Sequence, residues 1–110
     1  MSGEDVHGAL RKRFARSFLD LMILRLLVRE PLWGYRMMQM LRKEHGIRVG
    51  PPVIYPLLDS MEGDGLMESE EVRDGGRRRR VYRATQKGLE LVRTFEAVLS
   101  EMIGESARPV

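Results

Sequence analysis

Four consecutive arginines, Arg77 to Arg80, form the densest positive charge in this 110-residue chain. A guanidinium group stays charged at every physiological pH and can form two parallel hydrogen bonds with a phosphate. Four arginines in a row on a strand place two on each face, so that one pair can point toward a nucleic-acid backbone. The alternative is pairing across a hairpin with Glu68, Glu70 and Glu71, but each such pair contributes only about 0.2–1 kcal/mol. We therefore expect mainly phosphate contact, together with some cross-strand pairing.

The residues that usually perform catalysis or hold metals are poorly represented. Cysteine is absent, and the only two histidines, His7 and His45, have no partner at metal-ligand spacing. The Gly75-Gly76 pair does not match a phosphate-binding loop, and no serine, histidine and acid form a plausible nucleophilic set. The sequence therefore predicts that the protein is not an enzyme and needs neither a metal nor another cofactor.

Charge changes sign along the chain, although the formal net charge is only +3. By segment, the charges are +5 for Met1–Arg48, −6 for Val49–Val72, +6 for Arg73–Arg93 and −2 for Thr94–Val110. This distribution predicts two cationic surfaces on either side of an anionic element. Any contact with DNA phosphates should come from the two basic segments, because carboxylates repel the backbone.

The length of the chain and its apolar segments limit the classes of protein to which it can belong. A chain of 110 residues forms one domain with a modest core, which an oligomer would help to stabilise. The longest apolar run, Leu21–Leu24, is far too short to cross a membrane, and Met1–Leu10 lacks the apolar stretch of a signal peptide. We expect a cytoplasmic protein without a membrane partner.

The spacing of apolar residues predicts two helices in the first half of the chain. Residues 1–15 are polar and basic, and form either a frayed helix or a loose arm. The segment from Phe18 to Val28 is apolar on nearly every side, so we expect a helix that is buried partly against another subunit. Pro31 ends it, and a second helix should run from about Trp33-Gly34 to His45, followed by Gly46 in a left-handed conformation.

The third predicted helix has a single buried stripe. Its apolar residues lie at i, i+3, i+4 and i+7, and are Ile54, Leu57, Leu58 and Met61. Because Pro56 lacks an N–H, we expect regular helix to start only at Pro52 or Val53. The Gly63-Asp64-Gly65 sequence should end the helix.

A hairpin and a last helix follow. Strand-like segments from Leu66 to Val72 and from Arg77 to Thr85 flank the turn Asp74-Gly75-Gly76. Thr85 should cap the final helix. The apolar residues of that helix are Leu91, Val92, Phe95, Val98, Leu99 and Met102.

This order of elements predicts a mostly α fold with a small β-hairpin, namely a winged helix-turn-helix followed by a C-terminal dimerisation helix. In such a fold the third helix enters the major groove and the hairpin lies on the backbone or in the minor groove. We divide the chain into the basic arm (residues 1–15), the winged-helix DNA-binding domain (16–85), the dimerisation helix (86–104) and a tail (105–110).

Several segments together resemble the PadR family of transcriptional regulators. They are Gly34-Tyr35, the core from Val49 to Leu58, the turn Glu62–Leu66 and the basic segment from Gly76 to Gly88. The resemblance implies a homodimer built through the first and last helices, and a repressor that binds double-stranded DNA. It also implies that Tyr55 contacts a groove or a phosphate and that residues 75–80 form the wing tip. The chain departs from the family pattern at Val53, where a small hydroxyl residue is frequent, and at Asp59-Ser60.

From these arguments we predict two sets of site residues. The DNA-binding set is Tyr35, Arg36, Arg48, Pro51, Pro52, Val53, Tyr55, Arg73, Gly75, Arg77, Arg78, Arg79 and Arg80. The dimerisation set is Phe18, Met22, Leu91, Val92, Phe95, Leu99 and Met102. An apolar, methionine-rich dimer interface could also admit a small hydrophobic effector. The rival hypothesis is a winged-helix protein-interaction module with weak or no DNA binding, which the −6 segment favours.

Overall fold

The computed structural model describes residues 3–104, with side chains from Asp5 onward, so residues 1–2 of the predicted arm and the predicted tail lie outside the described residues. The elements are α1 (Gly3–Arg29), β1 (Leu32–Trp33), α2 (Gly34–His45), α3 (Pro51–Gly63), β2 (Met67–Asp74), β3 (Arg77–Ala84) and α4 (Gln86–Ile103). The three strands form one antiparallel sheet in the order β1-β3-β2. This arrangement confirms the predicted winged helix-turn-helix with an additional C-terminal helix.

Helix α1 is longer than the predicted first helix and includes the described part of the predicted arm, from Gly3 onward. The segment before Phe18 is helical, which was one of the two conformations left open. Phe18 itself leaves helical geometry, with φ −129° and ψ 21°, so α1 is kinked where the apolar stretch begins. Beyond the kink, Ile23 and Leu24 are fully buried, whereas Arg25 and Val28 remain exposed.

The sheet contains a strand that the sequence did not reveal. Strand β1 pairs Leu32 with Tyr82 and Trp33 with Val81. The predicted two-stranded hairpin was therefore incomplete, because two residues are too few to show the alternation that identifies a strand. Only the fold brings these residues next to β3, about fifty positions further along the chain.

Helix α3 begins earlier than predicted. Pro51 and Pro52 occupy its first two positions, where the missing N–H groups cost no hydrogen bond, and Gly50 is the cap. The Gly50 carbonyl accepts hydrogen bonds from the amides of Val53 and Ile54. The predicted start at Pro52 or Val53 was thus one or two residues late, and Pro56 is the sixth residue of the helix.

Local signals correctly predicted the hairpin turn and the start of α4. Gly75 and Gly76 have φ of 57° and 83°, as a two-residue turn with two left-handed positions requires. Thr85 caps α4, because its hydroxyl oxygen accepts a hydrogen bond from the Gly88 amide at 3.1 Å. The same hydroxyl donates to the Gly65 carbonyl at 2.6 Å and so ties the end of α3 to α4.

One hydrophobic core joins all the helices to the sheet. The C-terminal half of α1 contributes the largest share of it, and the predicted stripe of α3 is buried at Ile54, Leu58 and Met61, with Leu57 half-buried. Tyr82 and Val92 complete the core from β3 and α4. Within residues 3–104, no helix is both long enough and apolar enough to cross a membrane.

Candidate nucleic-acid interface

The register of the hairpin divides the four arginines between the two faces of the sheet. Arg78 and Arg80 alternate with Tyr82, whose side chain is buried, and therefore share its face of β3. Arg77 and Arg79 lie on the opposite face. Each face of the hairpin thus carries two of the four arginines, as the sequence predicted, and on the face of Arg77 and Arg79 the opposing strand contributes Asp74, Glu70 and Glu68.

Two arginines of β3 are engaged in cross-strand pairs. Arg80 lies 3.7 Å from a carboxylate oxygen of Glu71 and donates a hydrogen bond to the Ser69 hydroxyl at 3.0 Å. Arg83 lies 3.0 Å from a carboxylate oxygen of Glu70. All of these charged side chains are about half exposed, so solvent screens the pairs and their contribution to stability is small.

Three arginines of the wing form no ion pair with a described residue, although Asp74 lies opposite one of them, Arg77, in the ladder. Among the residues that the structure describes, Arg73, Arg77 and Arg78 have no carboxylate within 4 Å. Arg73 lies directly opposite Arg78 in the ladder, on the same face of the hairpin. Like charges at opposed positions destabilise a hairpin, and a bound phosphate between them would relieve the repulsion.

Arg79 fixes the wing to the body of the domain. Its guanidinium carbon lies 4.7 Å from the centre of the Trp33 ring, which is close enough for a cation–π contact. Trp33 belongs to β1 and is half-buried beside Val81. The tryptophan is therefore a packing residue, and one of its partners is an arginine of the wing.

Several predicted DNA-binding residues meet in one cleft of about 300 Å³ between the wing and the starts of α2 and α3. Its lining consists of aromatic residues, a glycine and the four arginines, and contains no acid: Trp33, Gly34, Tyr35, Tyr55, Arg77, Arg78, Arg79 and Arg80. Tyr35 and Tyr55 are 60% and 40% exposed, so their rings are accessible from solvent. Such a surface suits a polyanion with flat groups.

A neighbouring groove continues this surface along α2. It shares Tyr35 with the first cleft, brings in two further predicted residues, Arg48 and Pro51, and adds Arg42, which sequence reasoning missed. The signal was present, because Arg42 lies seven residues after Tyr35 and therefore on the same face of a helix. Arg36 does not line either depression; it is half-buried and donates a hydrogen bond to Gln39 at 3.4 Å.

The acidic residues of α3 lie in its C-terminal half, away from the end that would enter a groove. Pro51, Pro52 and Val53 are exposed and neutral at the N-terminal end. Glu62 accepts a hydrogen bond from Ser69 at 2.7 Å, so its carboxylate is held against the wing. Asp59 lies near Tyr82, whose pKa is raised chiefly by burial and further by the Asp59 carboxylate. Although residues 49–72 carry a net charge of −6, the exposed N-terminal end of α3 is therefore neutral.

The residues of this candidate interface, from Trp33 to Arg80, lie in the part of the chain that matches a family model. Residues 23–94 match the model described as the transcriptional regulator PadR-like family. The chain belongs to the PadR-like family. Since PadR-like proteins are transcriptional regulators, the chain is a regulator and not an enzyme, in agreement with the sequence prediction.

Individual relatives of this PadR-like chain are similar over most of its length. The transcriptional regulator Rv3488 of Mycobacterium tuberculosis is 37% identical over 94 residues, which are 86% of this chain and 87% of that protein. The crystal structure of a PadR family transcriptional regulator from Eggerthella lenta has a TM-score of 0.74 and 32% identity, covering 97% of this chain and 96% of that one. F93 from STIV, described as a winged-helix DNA-binding protein, has a TM-score of 0.69 and 26% identity, over 78% and 91% of the two chains.

Tyr55 of this PadR-like regulator rests on a glycine. A Cβ placed on Gly34 would lie 2.7–2.9 Å from three atoms of the Tyr55 ring, so that the ring occupies the space that any other side chain would fill. The sequence indicates Gly34 only as the approximate start of the second helix and as part of the Gly-Tyr pair, not as a contact of Tyr55. Its lack of a side chain lets the first residue of α2 approach α3 closely.

Replacing Gly34 by alanine should therefore displace Tyr55 and lower DNA affinity about tenfold, with a change in unfolding free energy below about 1 kcal/mol because the exposed ring can swing outward. Fluorescence anisotropy with a labelled duplex and urea unfolding would measure the two effects. Tyr55→Phe is the matched control, and should cost about 1 kcal/mol of binding if the hydroxyl bonds a phosphate. Unchanged affinity in Gly34→Ala would show that the position of Tyr55 is unimportant for binding.

The predicted dimerisation residues are divided between the core and an exposed face. Met22 and Val92 are buried within the chain itself, where they pack in the core. Phe18 and Phe95 form an aromatic cluster with Phe14, with ring centres 4.9–6.4 Å apart. Leu91 and Met102 are exposed, Met102 to 70%, and Leu99 is half-buried. α1 and α4 of this PadR-like chain therefore present an apolar face that one chain leaves partly open.

Proposed function

We propose that the chain is a homodimeric repressor that binds double-stranded DNA, with α3 in the major groove and the arginine wing on the backbone or in the minor groove. The observation that carries the proposal is the cleft in which two exposed tyrosines and four arginines meet without a carboxylate. Repression requires only that the dimer occupy DNA needed by another protein. The winged-helix relative F93, described as DNA-binding, supports the same assignment.

Within this proposal the residues have different tasks. Arg73, Arg77 and Arg78 contact phosphates, whereas Arg79 holds the wing through Trp33. The exposed start of α3 makes the base contacts, and Val53 there can contact a thymine methyl group. Since Pro51 and Pro52 have no N–H, this helix end offers few amides to a phosphate, and most of the affinity should come from the wing and the basic groove along α2.

The proposal is tested by selecting bound sites from random duplex DNA at two salt concentrations. We expect an inverted repeat with two half-sites, because a two-fold dimer presents two recognition helices. The affinity should fall steeply with salt, by about 0.9 in log K per log salt for each phosphate contacted. If every duplex binds more weakly than about 0.1 mM at low salt, the protein is an interaction module instead.

The homodimer is tested separately on the exposed end of α4. Changing both Val98 and Met102 to lysine should weaken the dimer at least 100-fold, because it buries two charges in an apolar contact. Lysines at Ala97 and Ser100, two exposed positions on the opposite face of the same helix, provide the matched control. Sedimentation equilibrium would show a monomer only for the first variant. A monomeric wild type, or equal effects of both variants, would contradict a dimer through this face.

A further inference from the structure

Another groove adjoins the groove along α2 and shares Arg48 with it. It runs between the N-terminal half of α1 and the link from α2 to α3, and encloses about 440 Å³, which is within the range of small-molecule sites. The α1 residues that line it share one face of the helix, since they are spaced at i, i+3, i+4 and i+7: Lys12, Ala15, Arg16 and Leu19. The groove shares Arg48 and Val49 with the groove along α2, but its lining on α1 belongs to neither of the two depressions proposed to contact DNA.

The floor of this groove is entirely aliphatic. It consists of Ala15, Leu19, Ile47 and Val49, of which Ile47 is buried and the others are half-buried. No aromatic ring lines it, which excludes stacking as the basis of recognition. The aromatic cluster of Phe14, Phe18 and Phe95 belongs to the different face of α1 that packs toward α4.

The rim of the groove is cationic and uncompensated. Lys12, Arg16 and Arg48 line it, no acid does, and none of the three has a carboxylate within 4 Å in the described part of the chain. The groove between α1 and α4 differs in this respect, because its lining includes Glu44 and its Arg25 is paired with Glu96 at 3.1 Å. Three free cations around an aliphatic floor complement a molecule with an anionic head and a hydrocarbon tail.

We propose that this groove is a binding site for an amphipathic aliphatic anion of the fatty-acid type. The carboxylate binds Arg16 and its two cationic neighbours, and the hydrocarbon chain covers Leu19 and Val49. The site does not depend on the proposed DNA binding, because the ligand is recognised by residues of α1 and the link alone. Its failure and the failure of DNA binding are therefore measured in separate experiments.

The test is calorimetric titration of the full-length protein, without DNA, using decanoate below its micellar concentration. We expect a dissociation constant below about 100 µM, with decanol at least tenfold weaker because it lacks the charge, and 2-naphthoate at least tenfold weaker because it lacks the flexible chain. Arg16→Gln should weaken decanoate binding about tenfold. Arg13→Gln removes the same charge from the same helix but outside the groove, and should leave binding unchanged.

Three results would overturn the proposal. They are the absence of decanoate binding up to 1 mM, equal binding of decanol and decanoate, and equal losses in Arg16→Gln and Arg13→Gln. Circular dichroism of both variants would establish that they remain folded, as expected for changes at exposed positions. The last of the three results would assign binding to overall charge rather than to this groove.

Discussion

Replacing Gly88 by alanine should lower the free energy of unfolding by about 3 kcal/mol. A Cβ at Gly88 would overlap the backbone carbonyl oxygen of Leu66, and lies next to the Leu24 side chain. That carbonyl also accepts a hydrogen bond from the Thr85 amide at 3.1 Å, so it is held in place and can move little. Urea unfolding at a fixed protein concentration would measure the change, since the stability of the proposed dimer would depend on concentration.

The direction of this effect is diagnostic, because alanine is ordinarily the better helix residue by about 1 kcal/mol. Gly8→Ala is the matched control: Gly8 is also helical, but nothing lies within 4 Å of an added Cβ. We expect Gly8→Ala to be as stable as the wild type or slightly more stable. Equal stability of the two variants would show that α4 and the loop before β2 are not in close contact in solution.

Removing two uncompensated charges of the wing by Arg73→Gln with Arg78→Gln should weaken binding to every duplex by tenfold or more at moderate salt. If each arginine contacts one phosphate, the salt dependence of log K should also decrease by about 1.8 per protomer. Fluorescence anisotropy over a series of salt concentrations would give both quantities. The loss should be similar for specific and random DNA, because wing arginines mainly contact the backbone.

The control for this prediction removes the same net charge elsewhere. Arg83, which is paired with Glu70, and Arg93, which is exposed on α4, can be changed to glutamine together. If this control weakens binding as much as the wing variant, net charge rather than the wing determines affinity. If the wing variant instead loses discrimination between sequences, the wing reads the shape of the minor groove.

The four arginines from Arg77 to Arg80 have different partners in the folded domain. In the sequence Arg77 to Arg80 are equivalent, and the prediction could only weigh phosphate contact against cross-strand pairing. The register pairs Arg80 with Glu71, β1 places Trp33 against Arg79, and Arg78 faces another arginine. The pairs with Glu71 and Arg73 follow from the register that the turn sets, whereas the contact of Arg79 with Trp33 joins residues far apart in the chain, which no local pattern contains.

The sequence alone determined the features that depend on interactions between residues close together in the chain. Apolar spacing gave the helices and the buried face of α3, two glycines gave the turn of the wing, and Thr85 gave the start of α4, because each of these depends on neighbours within a few residues. Three features are seen only in the tertiary structure. They are the pairing of β1 with β3, the packing of Tyr55 on Gly34, and the contact of Gly88 with the backbone of Leu66. These features require segments from different parts of the chain to pack together, and backbone proximity of that kind is set by the whole core rather than by any one stretch.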